Sequence, residues 1–559
     1  MKKRYMPVLI AIVMILVIIL IGVGSMLLQK LSYSKERADL NEYFGNPGDS
    51  GATIILNDEQ IEEKALVQDG RVYFSMAFVD EHIDDHFYHD ATESYVIFTS
   101  ATDVLTTTVG STDINSSEGF RSETYPLTCQ SGENIYIAAD YLKTLCNYEY
   151  TFFRDPNRVF VTTKWGTEQF AEIKKDTQVR VLGGIKSAVV CDVKKGEKVE
   201  VKERMDEWSE VITESGFIGY TENKRMSDPE DVTSVSLNEI PRPEYTSMHV
   251  DGKVCLVWNN VNNTVANQYA TDLLNATQGV NVIAPTWMSL TDGAGNFESL
   301  VDPSYVQTMH SRGVMVWATV DNFKYDVVTA DVVNVTSRRR ALIAGLMNTV
   351  LSNGIDGINV DFEYVTKEAA EGYIQFLREL SVECRKNQIY LSADNSHLVN
   401  YNIKQQGEVV DYVILMGYDE HVAPGDGVGP CASVEFVRSG IESALERVPS
   451  EKVINALPFY SRVWKTTGDV SQTAYGMAEV KQLVAESGAS PVWDDLTCSN
   501  FVEWTNSDGE GKCVWLEDYD SISVKLSVMS GYNLGGVAGW RLGQETSDIW
   551  PLIQSYLAN

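Results

Sequence analysis

Eight consecutive residues, Asp356-Gly357-Ile358-Asn359-Val360-Asp361-Phe362-Glu363, hold the densest chemistry in the sequence. Side chains alternate between the two faces of a strand, so Ile358, Val360 and Phe362 point one way and Asn359, Asp361 and Glu363 the other. Three polar groups in a row on an inner face are costly to bury unless partnered. That cost argues for function over a ladder that serves only packing. Asp361 and Glu363 would stand about 6–7 Å apart along the strand. The charge of one helps hold a proton on the other near neutral pH, which suits general acid chemistry.

Such a strand needs a frame. From about residue 248 onward, apolar strands alternate with amphipathic helices. The predicted strands are Val254 to Trp258, Val280 to Trp287, Val314 to Val320, Gly357 to Phe362, Ile389 to Ala393, Tyr412 to Tyr418, Val453 to Pro458 and Gly536 to Trp540. Between them, helices are predicted at Arg340 to Leu351, Lys367 to Arg385, Val434 to Arg447 and Asp520 to Ser530. This alternation predicts a (β/α)8 TIM barrel, whose chemistry gathers at the C-terminal strand ends. The sixth strand ends in Met416-Gly417-Tyr418-Asp419 and the eighth in Trp540. Trp287, Tyr460, Arg462 and Trp464 lie near other strand ends, as groove lining or as packing.

These residues resemble glycoside hydrolase family 18, whose fourth strand reads D-G-x-D-x-D-x-E, whose sixth reads M-x-Y-D, and whose eighth places a tryptophan beneath the sugar. The resemblance covers the whole C-terminal module. It implies substrate-assisted retention, in which the sugar's 2-acetamido oxygen attacks its own anomeric carbon. Glu363 would protonate the leaving oxygen and later activate water, Asp361 would orient the acetamide, and Tyr418 would hydrogen-bond its oxygen. Trp540 would form the apolar floor, and Asp419 would steady Asp361 or contact a hydroxyl. Asn359, Met416, Asp419, Trp540, Trp287, Tyr460 and Arg462 are the candidate substrate-binding residues, with Asp356 and Gly357 fixing the start of the strand. Neither metal nor cofactor is implied.

Asn359 departs from the family pattern, which usually has an aspartate there that shares a proton with the next carboxylate. An asparagine cannot take that proton, so an altered pH profile is expected. Family barrels that lose the acid become lectin-like. With Glu363 present, hydrolysis of an N-acetylated glycan, peptidoglycan or chitin-like, is expected over a glycan-binding role.

The whole chain has 559 residues, with 78 acidic against 45 basic and a net charge of −33. No basic stretch offers the footprint that nucleic acid requires. Its 44% hydrophobic content is that of folded domains. Met1-Lys2-Lys3-Arg4 precedes an apolar run from Met6 to Leu28, long enough to cross about 30 Å of hydrocarbon. The run exceeds an ordinary signal-peptide core and no A-x-A-like site follows, so an uncleaved anchor is expected over a cleaved signal peptide. The basic flank places the N-terminus in the cytoplasm and the rest outside, facing the wall of a single-pass cell-membrane protein.

Beyond residues 1–30, residues 31–49 read as a polar stalk. Residues 50–165 read as a duplicated α+β module, in which Asp69-Gly70-Arg71-Val72-Tyr73-Phe74 is echoed by Ser131-Gly132-Glu133-Asn134-Ile135-Tyr136-Ile137. Tyr95 to Thr99 and Val159 to Thr163 are the expected closing strands. The module resembles the copper amine oxidase N-terminal-like repeat, a resemblance that implies no copper. Within it His82, His86 and His89 form either a divalent-metal site or a solvated acidic turn. Residues 171–226, with Val179-Arg180-Val181, Trp208-Ser209-Glu210-Val211 and Gly219-Tyr220, predict a small β-barrel. It is similar to bacterial SH3 domains, which commonly attach to cell-wall peptides. Combined with such a module, the barrel resembles spore-germination and cortex-lytic glucosaminidases more than secreted chitinases. Residues 227–247, with Pro229, Pro241 and Pro243, form a linker to the catalytic module at 248–559. Of eight cysteines, Cys129 with Cys146 and Cys498 with Cys513 are close enough in sequence to pair, while Cys255 and Cys384 read as small buried residues.

Overall fold

The structure, a computed structural model, describes residues 6–236, 240–241, 243–323, 327–396 and 401–558. The basic residues before the apolar run therefore lie outside the described residues. The chain forms two compact units. One runs up to Phe87 and adds Val109–Asp113 and Ser122–Pro241; the other joins Tyr88–Thr108 and Ile114–Arg121 to Arg242–Asn559.

The second unit is built on the predicted barrel. Its strands are β1 (Val254–Asn259), β2 (Val282–Leu290), β3 (Met315–Asp321), β4 (Gly357–Asp361), β5 (Tyr390–Ser396), β6 (Tyr412–Met416), β7 (Val453–Pro458) and β8 (Gly536–Trp540). Each pairs in parallel with the next, and β8 also pairs with β1 through Val254↔Gly536, which closes the ring. Strands covered on both faces need near-continuous apolar runs, and Tyr412-Val413-Ile414-Leu415-Met416 is buried at every position. Helices Thr336–Asn353, Ala370–Asn387, Val434–Leu445 and Tyr519–Met529 stand close to their predicted places. The first two are joined by a buried ion pair, Arg339 Nη2 to Glu379 Oε1 at 2.8 Å.

Two additions escaped sequence reading. After β7 the chain makes a five-stranded antiparallel sheet (Tyr460–Lys465, Ser471–Gly476, Val492–Asp494, Ser499–Thr505, Gly511–Leu516) over its own small core of Val463, Val480, Val502 and Val514. Only Phe459 separates its first strand from β7, so the two read as one apolar run. Tyr460, Arg462 and Trp464 thus stand on this insertion and not on a barrel strand. The second addition is the segment around Tyr95–Thr99, in a separate five-stranded sheet that belongs to the barrel unit. There Asp90 accepts the Thr336 N–H at 2.6 Å, Tyr88 donates to the Asn334 carbonyl at 3.0 Å, and Gln375 donates to Thr99 at 2.8 Å. Of the expected 50–165 module, Tyr88–Thr108 and Ile114–Arg121 thus group with the barrel unit through contacts distant in sequence.

The first unit begins with helix Met6–Leu31, long and apolar enough to cross a membrane by length and composition. A seven-stranded sheet follows, in which Arg71–Ser75 and Asn134–Ala138, from the two echoed segments, pair antiparallel with Ile137 opposite Phe74. Each runs into a short helix, Met76–His82 and Ala139–Leu142. Arg158–Thr162 lies in this sheet, unlike Tyr95–Thr99. A second seven-stranded sheet, wholly antiparallel, spans 167 to 233 around Ala171, Val179, Val190, Val199 and Val211. The expected stalk is not a free spacer. Ser34–Ala38 runs along Ile185–Val189 with backbone hydrogen bonds, and Leu40 and Tyr43 pack on that core. All eight cysteines are free thiols, including the two pairs close in sequence. Of the three histidines singled out, His86 groups with Asp84 and Asp85, its Nδ1 at 2.8 Å from Asp84 Oδ1, while His82 lies 3.8 Å from Glu81.

Candidate active site

The fourth strand is placed by what precedes it. Helix Thr336–Asn353 ends at Gly354, whose φ of 65° is left-handed and cheap for glycine alone. Asp356 then accepts the Val316 N–H at 2.8 Å and lies 2.7 Å from His310 Nε2. A Cβ on Gly357 would fall 2.6 Å from the Trp317 ring. Both residues thus act on the start of β4, away from the rim.

Asn359 is wholly buried and uses its full bonding capacity. Its Oδ1 accepts from Trp258 Nε1 and Thr319 Oγ1, each at 3.0 Å, and its Nδ2 donates to Ser392 Oγ at 3.0 Å and Asp394 Oδ1 at 2.8 Å. With nothing left over, it holds neighbouring strands together and does not face substrate, a correction to its expected binding role. Two residues on, Asp361 is 5% exposed and its Oδ1 has no hydrogen-bond partner. Glu363, past the strand end, is half-buried, and its N–H donates to Asn322 at 3.1 Å.

Burial pushes the carboxyls of Asp361, Asp394 and Glu363 above their ordinary range. The charges of Asp394, Glu363 and Asp321 push Asp361 further, and those of Asp419 and Asp321 push Glu363. Burial likewise holds the Tyr418 phenol far above its ordinary value, keeping it a neutral hydrogen-bond donor. The rim thus gathers acids whose charged forms are disfavoured, beside a tyrosine donor.

Asp419 adopts a φ of 63° and accepts from Tyr460 Oη and from Arg462, at 3.2 Å to Nε and 2.5 Å to Nη2. Tyr460 and Arg462 therefore reach the site by holding Asp419. Trp540 is partly exposed at the end of β8, edge-on to Trp258 at 5.9 Å. Met416 is buried beneath the rim. Trp287 is 1% exposed, bonded to Asn267 and packed edge-on against Tyr305 at 4.9 Å. It is core and lines no groove, and Trp464 is likewise buried, donating to the Gly429 carbonyl.

Sequence reading missed Asp321, which accepts from Ser289 at 2.8 Å, and Asp394. Each stands one residue past a predicted strand end, so the rule that drew attention to Glu363 would have found both. Asn322, which holds the Glu363 N–H and Thr329, was missed with them.

A closed parallel barrel with clustered acids and an aromatic at its C-terminal rim has the parts of a glycoside hydrolase. Residues 317–545 match the family described as Glycosyl hydrolases family 18. With the likenesses that follow, this match supports a glycoside hydrolase barrel over this part of the chain. It is 25% identical over 260 residues to the uncharacterized glycosylase YvbX of Bacillus subtilis, covering 44% of this chain and 75% of that one. Identity to the cortical fragment-lytic enzyme of the same organism is 24% over 266 residues, covering 45% and 61%. Less than two thirds of the latter is therefore spanned. Among solved structures, a chitinase from Chromobacterium violaceum superposes with a TM-score of 0.50 at 25% identity, covering 55% of this chain and 99% of that one.

Proposed function

We propose that the chain is a membrane-anchored, outward-facing hydrolase of β-1,4 bonds at N-acetylglucosaminyl units, in peptidoglycan or chitin-like glycans, working by substrate-assisted retention. The observation that carries this reading is the acid group at the rim, the buried, partnerless Asp361 Oδ1 at the end of β4 with Glu363 two residues on and Tyr418 just past β6.

The partnerless Asp361 Oδ1 is suited to accept the acetamido N–H, turning the acetamido oxygen toward the anomeric carbon. Tyr418 donates to that oxygen. Glu363, whose carboxyl is pushed above its ordinary range by burial and two neighbouring acids, gives its proton to the leaving oxygen. It then takes a proton from the water that opens the oxazolinium ring. Asp419, fixed by Tyr460 and Arg462, contacts a sugar hydroxyl, and Trp540 lies under the ring. The name of the cortical fragment-lytic relative supports peptidoglycan as the glycan, and the chitinase likeness supports chitin oligosaccharides.

Glu363→Gln should lower glycan cleavage by about 100-fold or more with binding retained. An unchanged rate overturns the reading. Muropeptides and chitooligosaccharides given to the full chain, with products weighed by mass spectrometry, identify the bond. Products ending in reducing N-acetylmuramic acid would refute the one named here.

A further inference from the structure

The asparagine at 359 leaves the acid site one carboxylate short on β4, yet a buried carboxylate stands beside it on β5. Val360 pairs with Ala393 in the parallel register, so Asp361 and Asp394 follow side by side. The 2.8 Å bond from Asn359 Nδ2 fixes Asp394 on the same inner face. That bond takes one Asp394 oxygen. The other, Oδ2, is buried without a hydrogen-bond partner, as is Asp361 Oδ1. Among the described residues, no cation figures among the groups that act on either acid. Besides the donors Asn359 and Trp258, which favour the charged form of Asp394, the groups that do are Asp321 from β3, Glu363 after β4, and the phenols of Tyr373, Tyr401 and Tyr418, with Asp419 beyond Tyr418. Two buried, adjacent carboxylates without a counter-charge among the described residues cannot both ionise cheaply.

We propose that Asp394 is a positioning residue that shares one proton with Asp361, supplying from β5 the function that an aspartate at 359 would supply from β4. At rest the proton lies between Asp394 Oδ2 and Asp361 Oδ1, and the pair carries a single negative charge. When Asp361 turns to accept the acetamido N–H, the proton stays on Asp394 and the negative charge on Asp361, so proton and charge are conserved. Asn359 holds Asp394 Oδ1 throughout, which fixes Oδ2 as the proton-bearing oxygen. This proposal rests on the hydrolase reading for its catalytic consequence but not for the existence of the shared proton.

Asp394→Asn keeps an acceptor for Asn359 and removes the charge. In the full chain in detergent, acting on muropeptides or chitotetraose, it should lower kcat roughly 10- to 100-fold with little change in KM. The alkaline limb of its pH profile should move to lower pH, because Asp361 loses the neighbour that holds its proton. The double variant Asn359→Asp/Asp394→Asn should recover both kcat and limb. Thermal melts of the barrel give a readout without substrate. The folded pair binds its proton more tightly than the unfolded chain, so its stabilisation is complete below the unfolded carboxylate range and is lost as pH rises. Asp394→Asn and Asp361→Asn should each flatten the fall in melting temperature between pH 5 and 8, and the two together should flatten it no further. An alkaline limb that stays in place in Asp394→Asn overturns the proposal, as does a melt slope equal to that of wild type in either single variant. If the wild-type chain cleaves neither glycan the hydrolase reading fails, and the melt slopes alone decide the pair.

Discussion

Gly357 leaves β4 no room to be anything but glycine. The Trp317 ring that a Cβ would strike at 2.6 Å is wholly buried, stacked on Tyr390 at 5.3 Å and tilted on Tyr412 at 5.6 Å, so it cannot swing aside. Gly357→Ala must instead displace the strand that carries Asp361. We expect a loss of about 1–3 kcal/mol, read as a lowered melting temperature, together with reduced activity. A variant as stable and active as wild type would show that β4 shifts freely. The same close packing explains why the residues around Asn359 carry no slack. Four hydrogen bonds join Asn359 to side chains from three other strands, Trp258 on β1, Thr319 on β3, and Ser392 and Asp394 on β5.

Between elements, the insertion after β7 is fastened by one buried ion pair. Lys525 Nζ donates to both Glu517 oxygens, at 2.8 and 3.0 Å, and each side chain is 1% exposed. Ser521 donates to the same carboxylate, and the Glu517 N–H donates to Ser461 on the insertion's first strand. Helix Tyr519–Met529 and the insertion therefore share one anchor. Lys525→Met should cost about 3–5 kcal/mol, because an uncompensated carboxylate stays buried. Adding Glu517→Gln should recover most of that loss in a denaturant melt, and failure to recover would mean that lysine packing, not charge, is what matters. At this scale the eight barrel strands were legible because their apolar runs are long and separated by helical periods. The insertion was not, since Phe459 alone parts its first strand from β7. Asp321 and Asp394, each one residue past a predicted strand, were legible by the strand-end rule but lack a motif of their own to draw attention, and Trp287 misled because a strand-end tryptophan suits core and groove alike. Asp361, Glu363 and Tyr418 were legible because alternation along one strand and one short motif already put them on the rim.

Across the whole molecule, the apolar helix and the folded module that follows it are joined with almost no slack. Helix Met6–Leu31, about 39 Å long at 1.5 Å per residue, exceeds the hydrocarbon thickness. Only Ser32 and Tyr33 separate its end from the segment bonded along Ile185–Val189. Arg180, 1% exposed, donates to the Ser34 carbonyl from both terminal nitrogens at 3.1 Å and to Ser187 at 2.6 Å. Lys186 donates to the Ser32 carbonyl at 2.6 Å, Tyr33 donates to Glu222 at 2.9 Å, and Arg37 pairs with Asp192. A trypsin site at Lys35 or Arg37 therefore opens only when this strand peels away, at a rate set by the free energy of local opening. In proteoliposomes the wild-type chain should resist cleavage there. Arg180→Met strips the Ser34 carbonyl of its donor, weakening the docking by about 1–3 kcal/mol. Release of the soluble remainder should quicken by roughly tenfold or more. Equal rates of release in the two proteins would mean that the segment is a free tether and that the small β module is not held at the membrane by its own chain.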